Sequence, residues 1–297
     1  MSEYLRFFPE LPPARGRHTE EWWSWRGMEI HIERVTAPEA SAKLIALHGA
    51  GGYGGMLLPY THLIGATDAV EVVAPDLPGY GTTRLNGQRV GYDDWVDCAA
   101  DLIVKERDGR PIFLIGASMG GLLAYSAAAR SGADGLIVTC LLDIRRPRVR
   151  TATARLPLLG RLPFQLLRPL DGLHLPIRWV ARMSAMSNTP ELNRVVAADR
   201  RGGGNHVSLR FLRTFMTSRP EVEPEDFTAC PVLMVHPGAD RWTPIELSLP
   251  FYERLSVPKR LVRLENAGHM PIEQPGLTQM VTAIQEFVAN VTERVTS

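Results

Sequence analysis

The sequence predicts an α/β fold on a mostly parallel sheet with helices on both faces, and three observations carry that prediction. Short, nearly continuous apolar runs (Leu44–Leu47, Val70–Ala74, Ile112–Ile115, Leu136–Val138, Val232–Val235 and Leu261–Leu264) read as strands buried on both faces. Between them lie helical patterns. Tyr92–Arg107 opens with Asp93 and Asp94, repeats Trp95, Ala99, Leu102 and Ile103, and ends on Lys105, Arg107 and Gly109, which suits the helix dipole and a glycine C-cap. Gly276–Asn290 repeats Met280, Ile284 and Phe287 in the same way. Strands alternating with helices imply a parallel sheet covered on both sides. Ahead of this pattern, Glu21–Val35 reads as two strands joined at Arg26-Gly27, with Met28, Ile30 and Ile32 facing one way and Glu29, His31 and Glu33 the other.

Composition bounds the function. The 297 residues are 45% hydrophobic and 22% charged, ordinary for a globular chain. Lys and Arg number 33 against 32 Asp and Glu, a net charge of +1, which argues against a dedicated nucleic-acid binder. No apolar run approaches the roughly 18 residues of a membrane span. The start, Met1-Ser-Glu-Tyr-Leu-Arg, lacks the basic and apolar regions of a signal peptide, so a cytoplasmic chain is expected. The cysteines Cys98, Cys140 and Cys230 are too widely spaced for a disulfide framework or a CxxC metal site, and no metal or other cofactor is expected.

One segment departs from the alternation. From Ile144 to Pro220 there are 15 Arg and no Lys against three acids, a net +12 that leaves −11 on the remainder. Leu-Pro pairs and the run Gly202-Gly-Gly204 punctuate it. The expected organisation is a core of residues 1–143 and 223–297, with an Arg-rich insertion over 144–222.

The chemistry-bearing signal is Gly116-Ala-Ser118-Met-Gly120, directly after the apolar strand ending at Ile115 and before a small-residue helix. A G-x-S-x-G sequence needs this context: a sharp strand-to-helix turn exposes the Ser hydroxyl above the sheet edge, and the flanking glycines make room for the backbone. Leu47-His48-Gly-Ala50-Gly51-Gly52 follows another buried strand. The backbone N–H of Ala50, with that of Met119, is placed to hold the oxyanion of a tetrahedral intermediate. His48, beside the glycines, is expected to shape the loop. Asp76-Leu-Pro-Gly-Tyr-Gly81 supplies turn chemistry alone. Asp240, in Val235-His-Pro-Gly-Ala-Asp240, lies on a loop at a strand's C-terminal end, where open α/β sheets place function. His269, in Glu265-Asn-Ala-Gly-His269, follows the next strand. The chain order Ser118, Asp240, His269 is that of a serine nucleophile, its acid and its base. The base must take the hydroxyl proton, and a carboxylate must hold the imidazole's tautomer and stabilise its charge. Asp143 is the alternative acid; His206 and His236 read as loop or core histidines. Gly51, Trp179, Met183 and Trp242 are candidate substrate-binding positions, with Met186 a further lining residue.

With these motifs in this order, the chain resembles the α/β-hydrolases, and within them the capped serine hydrolases that include monoacylglycerol lipases, lysophospholipase-like enzymes and carboxylesterases. The resemblance implies an eight-stranded, mostly parallel sheet with a lid inserted after the sixth strand, over about 144–222. It also implies Ser118, Asp240 and His269 as the triad, with Ala50 and Met119 as oxyanion donors. The expected activity is hydrolysis of a small to medium acyl ester or a monoacylglycerol-like ester, a small-molecule substrate. Alternatives on the same residues are thioester, lactone, amide or C–C bond hydrolysis; a non-catalytic ligand receptor on the same scaffold is the rival from another class. The Arg-rich segment, especially Leu156–Leu170, admits three readings: a lid touching a lipid interface transiently, a funnel for a carboxylate- or phosphate-bearing ester, or a basic layer docked on an acidic core.

Overall fold

The computed structural model describes residues 3–8, 16–37, 39–65, 70–155, 158 and 163–296. Strands β1 (Arg17–Trp25) and β2 (Met28–Thr36) form the predicted hairpin. Its two turn residues, Arg26 (φ 46°) and Gly27 (φ 78°), both take left-handed backbone, the geometry whose twist matches that of the paired strands. Met28, Ile30 and Ile32 are buried as expected. The opposite face is less exposed than a simple alternation suggests, because His31 is buried under Trp22 and bonded to Asp76.

The alternation then follows in order: β3 (Ala42–Leu47), α1 (Gly54–Ile64), β4 (Val70–Pro75), α2 (Tyr92–Glu106), β5 (Ile112–Gly116), α3 (Met119–Ser131) and β6 (Gly135–Val138). After β6 the chain leaves the sheet. It forms α4 (Pro147–Thr153), β7 (His174–Pro176), α5 (Ile177–Val180), α6 (Pro190–Ala198), β8 (His206–Ser208) and α7 (Leu209–Met216), with β7 and β8 paired in a separate ribbon. It returns through β9 (Val232–Pro237), α8 (Leu249–Tyr252), β10 (Lys259–Leu264) and α9 (Gly276–Thr296). The eight-stranded sheet runs β1-β2-β4-β3-β5-β6-β9-β10. The first two pairings are antiparallel and the others parallel.

Burial explains the runs. Every residue of β3, β4 and β9 is buried. Strand β10 differs: Lys259, Arg260 and Arg263 are exposed, because it closes the sheet edge and has a neighbour on one side only. The order places β3 between β4 and β5, so the direction of winding reverses there. Loops leaving the carboxyl ends of strands at such a point diverge and open a crevice. Leu47 lies opposite Gly116, so the loops after β3 and β5 emerge side by side.

Beneath the hairpin is a buried knot of charge. Arg34 donates to Glu106 (2.8 Å), Glu71 (2.7 Å) and Glu21 (2.7 Å), while Lys43 donates to Glu106 (3.1 Å). This accounts for Glu71 inside an otherwise apolar strand. Asp199 ties the excursion to the core by accepting the hydroxyls of Tyr4 (3.0 Å) and Tyr53 (2.8 Å). The Gly202–Gly204 run has a packing reason: a Cβ on Gly202 would lie 2.5 Å from the Gly51 carbonyl oxygen. Among the described residues, the excursion's arginines meet the core mainly through Arg145, which pairs with Asp143 and Glu223. Arg148, Arg168, Arg178, Arg182 and Arg194 are exposed, and none forms an ion pair within the described set. A basic layer docked on an acidic core therefore accounts for few of them. Residues 156–157 and 159–162, the start of the Leu156–Leu170 stretch, lie outside the described residues. No helix among the described residues is long and apolar enough to cross a membrane.

The charged knot has a measurable pH signature. Burial raises the Glu106 carboxyl, but the Arg34 and Lys105 contacts outweigh it and hold its pKa at about 2, against 4.5 in the open chain. A depressed carboxylate pKa contributes stability that is complete above the unfolded value and lost as pH falls through the folded one. Urea midpoints should therefore fall between pH 4.5 and 2. Arg34→Met should lower stability at pH 7 by about 3 kcal/mol, because buried carboxylates lose their main partner, and should flatten the acid dependence.

Candidate active site

Four loops at the carboxyl ends of the strands, after β3, β5, β9 and β10, build the site. Ser118 sits between β5 and α3 with φ 56° and ψ −124°, a conformation far from strand or helix that points its side chain off the sheet edge. The turn is tight enough to exclude side chains at its glycines. A Cβ on Gly116 would fall 2.2 Å from the Gly120 oxygen. Ser118 N–H donates to Thr139 Oγ1 at 2.8 Å, anchoring the strained residue to the chain leaving β6.

The loop after β3 presses on this turn. A Cβ on Gly49 would lie 2.7 Å from the Ala117 oxygen and 3.0 Å from Ser118 Cβ. His48 is fully buried behind it. Its Nδ1 donates to the Gly49 carbonyl (2.9 Å) and its Nε2 accepts Leu77 N–H (3.0 Å), so both ring nitrogens serve the loop. Burial lowers the His48 pKa to about 4, which fixes the neutral ring this bonding requires. Ala50 and Met119 flank Ser118, and among the described residues neither backbone N–H donates to a protein acceptor. Both stand at the crevice, Met119 at the first turn of α3, where N–H groups have no partner inside the helix.

Asp240 and His269 meet from the loops after β9 and β10. His269 Nδ1 donates to Asp240 Oδ2 at 2.8 Å, and both side chains are almost wholly buried. Asp240 Oδ1 accepts the N–H groups of Trp242 (2.7 Å) and Thr243 (2.9 Å), and the Thr243 hydroxyl donates to Oδ2 (2.8 Å) while lying 3.1 Å from His269 Nδ1. Burial alone would raise the Asp240 pKa. The His269 contact and the two amides outweigh it and hold the carboxyl well below its usual range. The Trp242 ring lies 4.8 Å from the imidazole. Among the described residues His269 Nε2 is buried with no hydrogen-bond partner, Ser118 included; the two residues line one cavity.

Two apolar cavities converge on Ser118 and Ala50. One runs beneath the β3 loop past Met56, Tyr60, Met186, His269 and Met280. The other, the larger of the two, opens under the excursion between Phe164, Leu209, Phe211, Phe215 and Trp242. Among the described residues, no arginine lines either one. The sequence-derived set thus divides. Ser118, Ala50, Met119, Asp240, His269, Trp242 and Met186 come together. Met183 is buried but lines neither cavity; its side chain packs against Gly51 and Gly203. Gly51 (φ 72°) shapes the loop without lining either cavity. Trp179 is 54% exposed on the outer side of the short helix α5 and lines neither. Asp143 is taken up by Arg145 (2.9 Å), His236 Nε2 donates to the Thr243 carbonyl (3.1 Å), and His206 is exposed. Asp76 accepts Gly54 N–H, Thr82 N–H and His31 Nδ1, a turn bracket with no cavity contact. Thr139 and Thr243 are the polar residues the sequence reading passed over. Thr243 carried one signal, a hydroxyl three residues beyond the acid.

A strand-to-helix serine turn over a β9 carboxylate paired with a β10 histidine is the layout of an α/β-hydrolase. Residues 44–278 match the alpha/beta hydrolase family, and the chain belongs to it. Over 280 residues it is 25% identical to phospholipase YtpA of Bacillus subtilis (strain 168), covering 89% of this chain and 98% of that one. Its fold is similar to that of the Paleococcus ferrophilus monoacylglycerol lipase (TM-score 0.70, 21% identity, 89% of this chain and 99% of that one). It is also similar to a soluble variant of monoglyceride lipase from Saccharomyces cerevisiae in complex with a substrate analog (TM-score 0.73, 15% identity, 96% and 98%).

The serine turn predicts a sharp steric contrast. Gly116→Ala should cost at least about 2 kcal/mol in chemical unfolding, because an added methyl in a packed site forces backbone movement. Gly172→Ala, whose Cβ would meet nothing within 4 Å, should stay within about 0.5 kcal/mol of the parent.

Proposed function

We propose that the chain is a serine hydrolase that cleaves a carboxylic ester carrying an apolar acyl group, through an acyl-enzyme. The observation that carries this reading is the convergence of Ser118, the Asp240–His269 pair and two apolar cavities on one point. His269 Nε2, unpartnered among the described residues, is the base that takes the Ser118 proton; active-site hydrogen bonds of this kind often tighten only once substrate is bound. Ser118 Oγ then attacks the ester carbonyl carbon. The oxygen that becomes negative is held by the N–H groups of Ala50 and Met119, reinforced by the α3 N-terminus. Asp240, fixed as a carboxylate by Trp242, Thr243 and His269, stabilises the imidazolium and keeps Nδ1 protonated, so that Nε2 serves as base and then as acid. The tetrahedral adduct collapses, His269 protonates the departing alcohol, and water activated by the same ring releases the acid. The kinship with phospholipase YtpA and the apolar walls favour an ester over an amide, and the complete Ser-His-Asp set argues against a silent receptor.

Ser118→Ala tests this directly. The variant should melt with the parent and lose p-nitrophenyl ester turnover by about 10³-fold or more. It should also lose labelling by a fluorophosphonate. Labelling that survives the substitution would overturn the assignment.

A lipid surface as the source of substrate is favoured by a second observation. Leu166 (75%), Leu173 (53%) and Trp179 (54%) are exposed along the excursion beside the exposed Arg168 and Arg178. Apolar side chains with interleaved arginines suit the boundary of an anionic membrane. That no arginine among the described residues lines either cavity weighs against the anionic-ester funnel. Co-sedimentation with phosphatidylglycerol vesicles should exceed that with phosphatidylcholine and weaken with added salt. Leu166→Asp with Trp179→Ser should reduce it about fivefold or more while turnover of a soluble ester is unchanged.

A further inference from the structure

We propose that the β1–β2 hairpin carries a binding site for a borderline divalent transition metal of the Zn²⁺ class, with His31, Glu20 and Glu33 as ligands and His18 as the fourth. The two strands repeat one pattern, His18-Thr-Glu20 and His31-Ile-Glu33. Side chains two apart on a strand share a face. The register places Glu20 directly opposite Glu33, so the two His-x-Glu units meet head to head on one side of the hairpin, with the histidines at opposite corners.

The distances suit a shared cation. One ligand atom each from Glu20, His31 and Glu33 lies within 4.8 Å of the other two. His31 Nε2 is 3.4 Å from Glu20 Oε2. Ligands held tetrahedrally at 2.0–2.2 Å from zinc stand roughly 3.3–3.5 Å apart. His18 Nε2 is 2.5 Å from Glu33 Oε2, a direct hydrogen bond that must open by about 1 Å for both atoms to reach one ion. His18 is exposed on the rim, so a side-chain rotation suffices.

The outer shell is built as well. His31 Nδ1 is 2.9 Å from Asp76 Oδ2, and both side chains are almost wholly buried. That carboxylate accepts the hydrogen bond of Nδ1–H and leaves Nε2 as the ring atom facing Glu20, where a bound metal ion would replace its proton, the arrangement that orients metal-binding histidines and raises their basicity. Asp76 is itself fixed by Gly54 N–H (2.8 Å) and Thr82 N–H (2.8 Å), so His31 is held from behind. Two carboxylates placed directly across a strand pair repel, and a cation between them reverses the sign of that contact. The donor set of imidazoles and carboxylates selects Zn²⁺, Co²⁺ or Ni²⁺ over the oxygen-preferring Mg²⁺ and Ca²⁺. The Trp22 ring, 5.0 Å from that of His31, supplies an optical reporter. The site lies away from both cavities and is independent of the hydrolase reading.

The test is titration of the full, untagged chain with Zn²⁺ and with Co²⁺, using Mg²⁺ as the control. Calorimetry should show one Zn²⁺ site, and Co²⁺ should give a tetrahedral visible band with quenched Trp fluorescence. Glu20→Gln and His18→Gln, both on the exposed side, should each weaken binding by about tenfold or more. Both variants should keep the parent's melting temperature in chelator, and saturating Zn²⁺ should raise that temperature in the parent but not in Glu20→Gln. Absence of binding by the parent, or binding indifferent to both substitutions, overturns the proposal.

Discussion

The site depends on how closely two backbones can approach. The loop leaving β3 and the turn leaving β5 are in contact through glycines: Gly49 rests on Ala117 and Ser118, Gly120 abuts the Leu47 and His48 carbonyls, and Gly116 lets the turn close on itself. A side chain at any of these positions would force the backbone at the serine turn to move. The left-handed backbone of Ser118 costs about 1–3 kcal/mol, and persists only because its surroundings determine it from several directions. Those surroundings are the Thr139 hydroxyl on its N–H, the buried neutral His48 behind the neighbouring loop, and the parallel pairing of Leu47 with Gly116 beneath.

The fold was legible because its strands are buried on both faces, which leaves little room for a polar residue and so marks each run. The marking fails where burial does. Strand β10 keeps three exposed basic residues at the sheet edge, and β4 admits Glu71 because Arg34 and Arg110 reach it from neighbouring elements. The candidate catalytic residues were legible for a different reason: each sits just past a strand end, where the chain must turn and function collects. Thr139 and Thr243 were not, since a threonine in a loop acquires its meaning from atoms far away in the chain. Trp179 misled because an apolar residue at helical spacing says nothing about which side of a four-residue helix meets the protein.

The excursion between β6 and β9 closes over the crevice with apolar residues and keeps its charge outside. Phe164, Leu209, Phe211 and Phe215 form the roof of the larger cavity, while Arg148, Arg168, Arg178, Arg182 and Arg194 of the same segment are exposed. Its attachment is polar and specific. Asp199 receives two tyrosine hydroxyls, Arg201 lies over the Tyr53 ring, and Gly202 and Gly203 abut Gly51. The segment that shapes the larger cavity is thereby in register with the loop that carries Ala50.

Among the described residues, the two chambers share Ala50 and Ser118 alone. On the proposed chemistry, the acyl chain stays lodged in one while the alcohol departs through the other. The vacated chamber is greasy, so it welcomes a second alcohol more readily than it wets. How the bound acyl group is then divided between hydrolysis and exchange onto a new alcohol is set by the dryness of that one compartment.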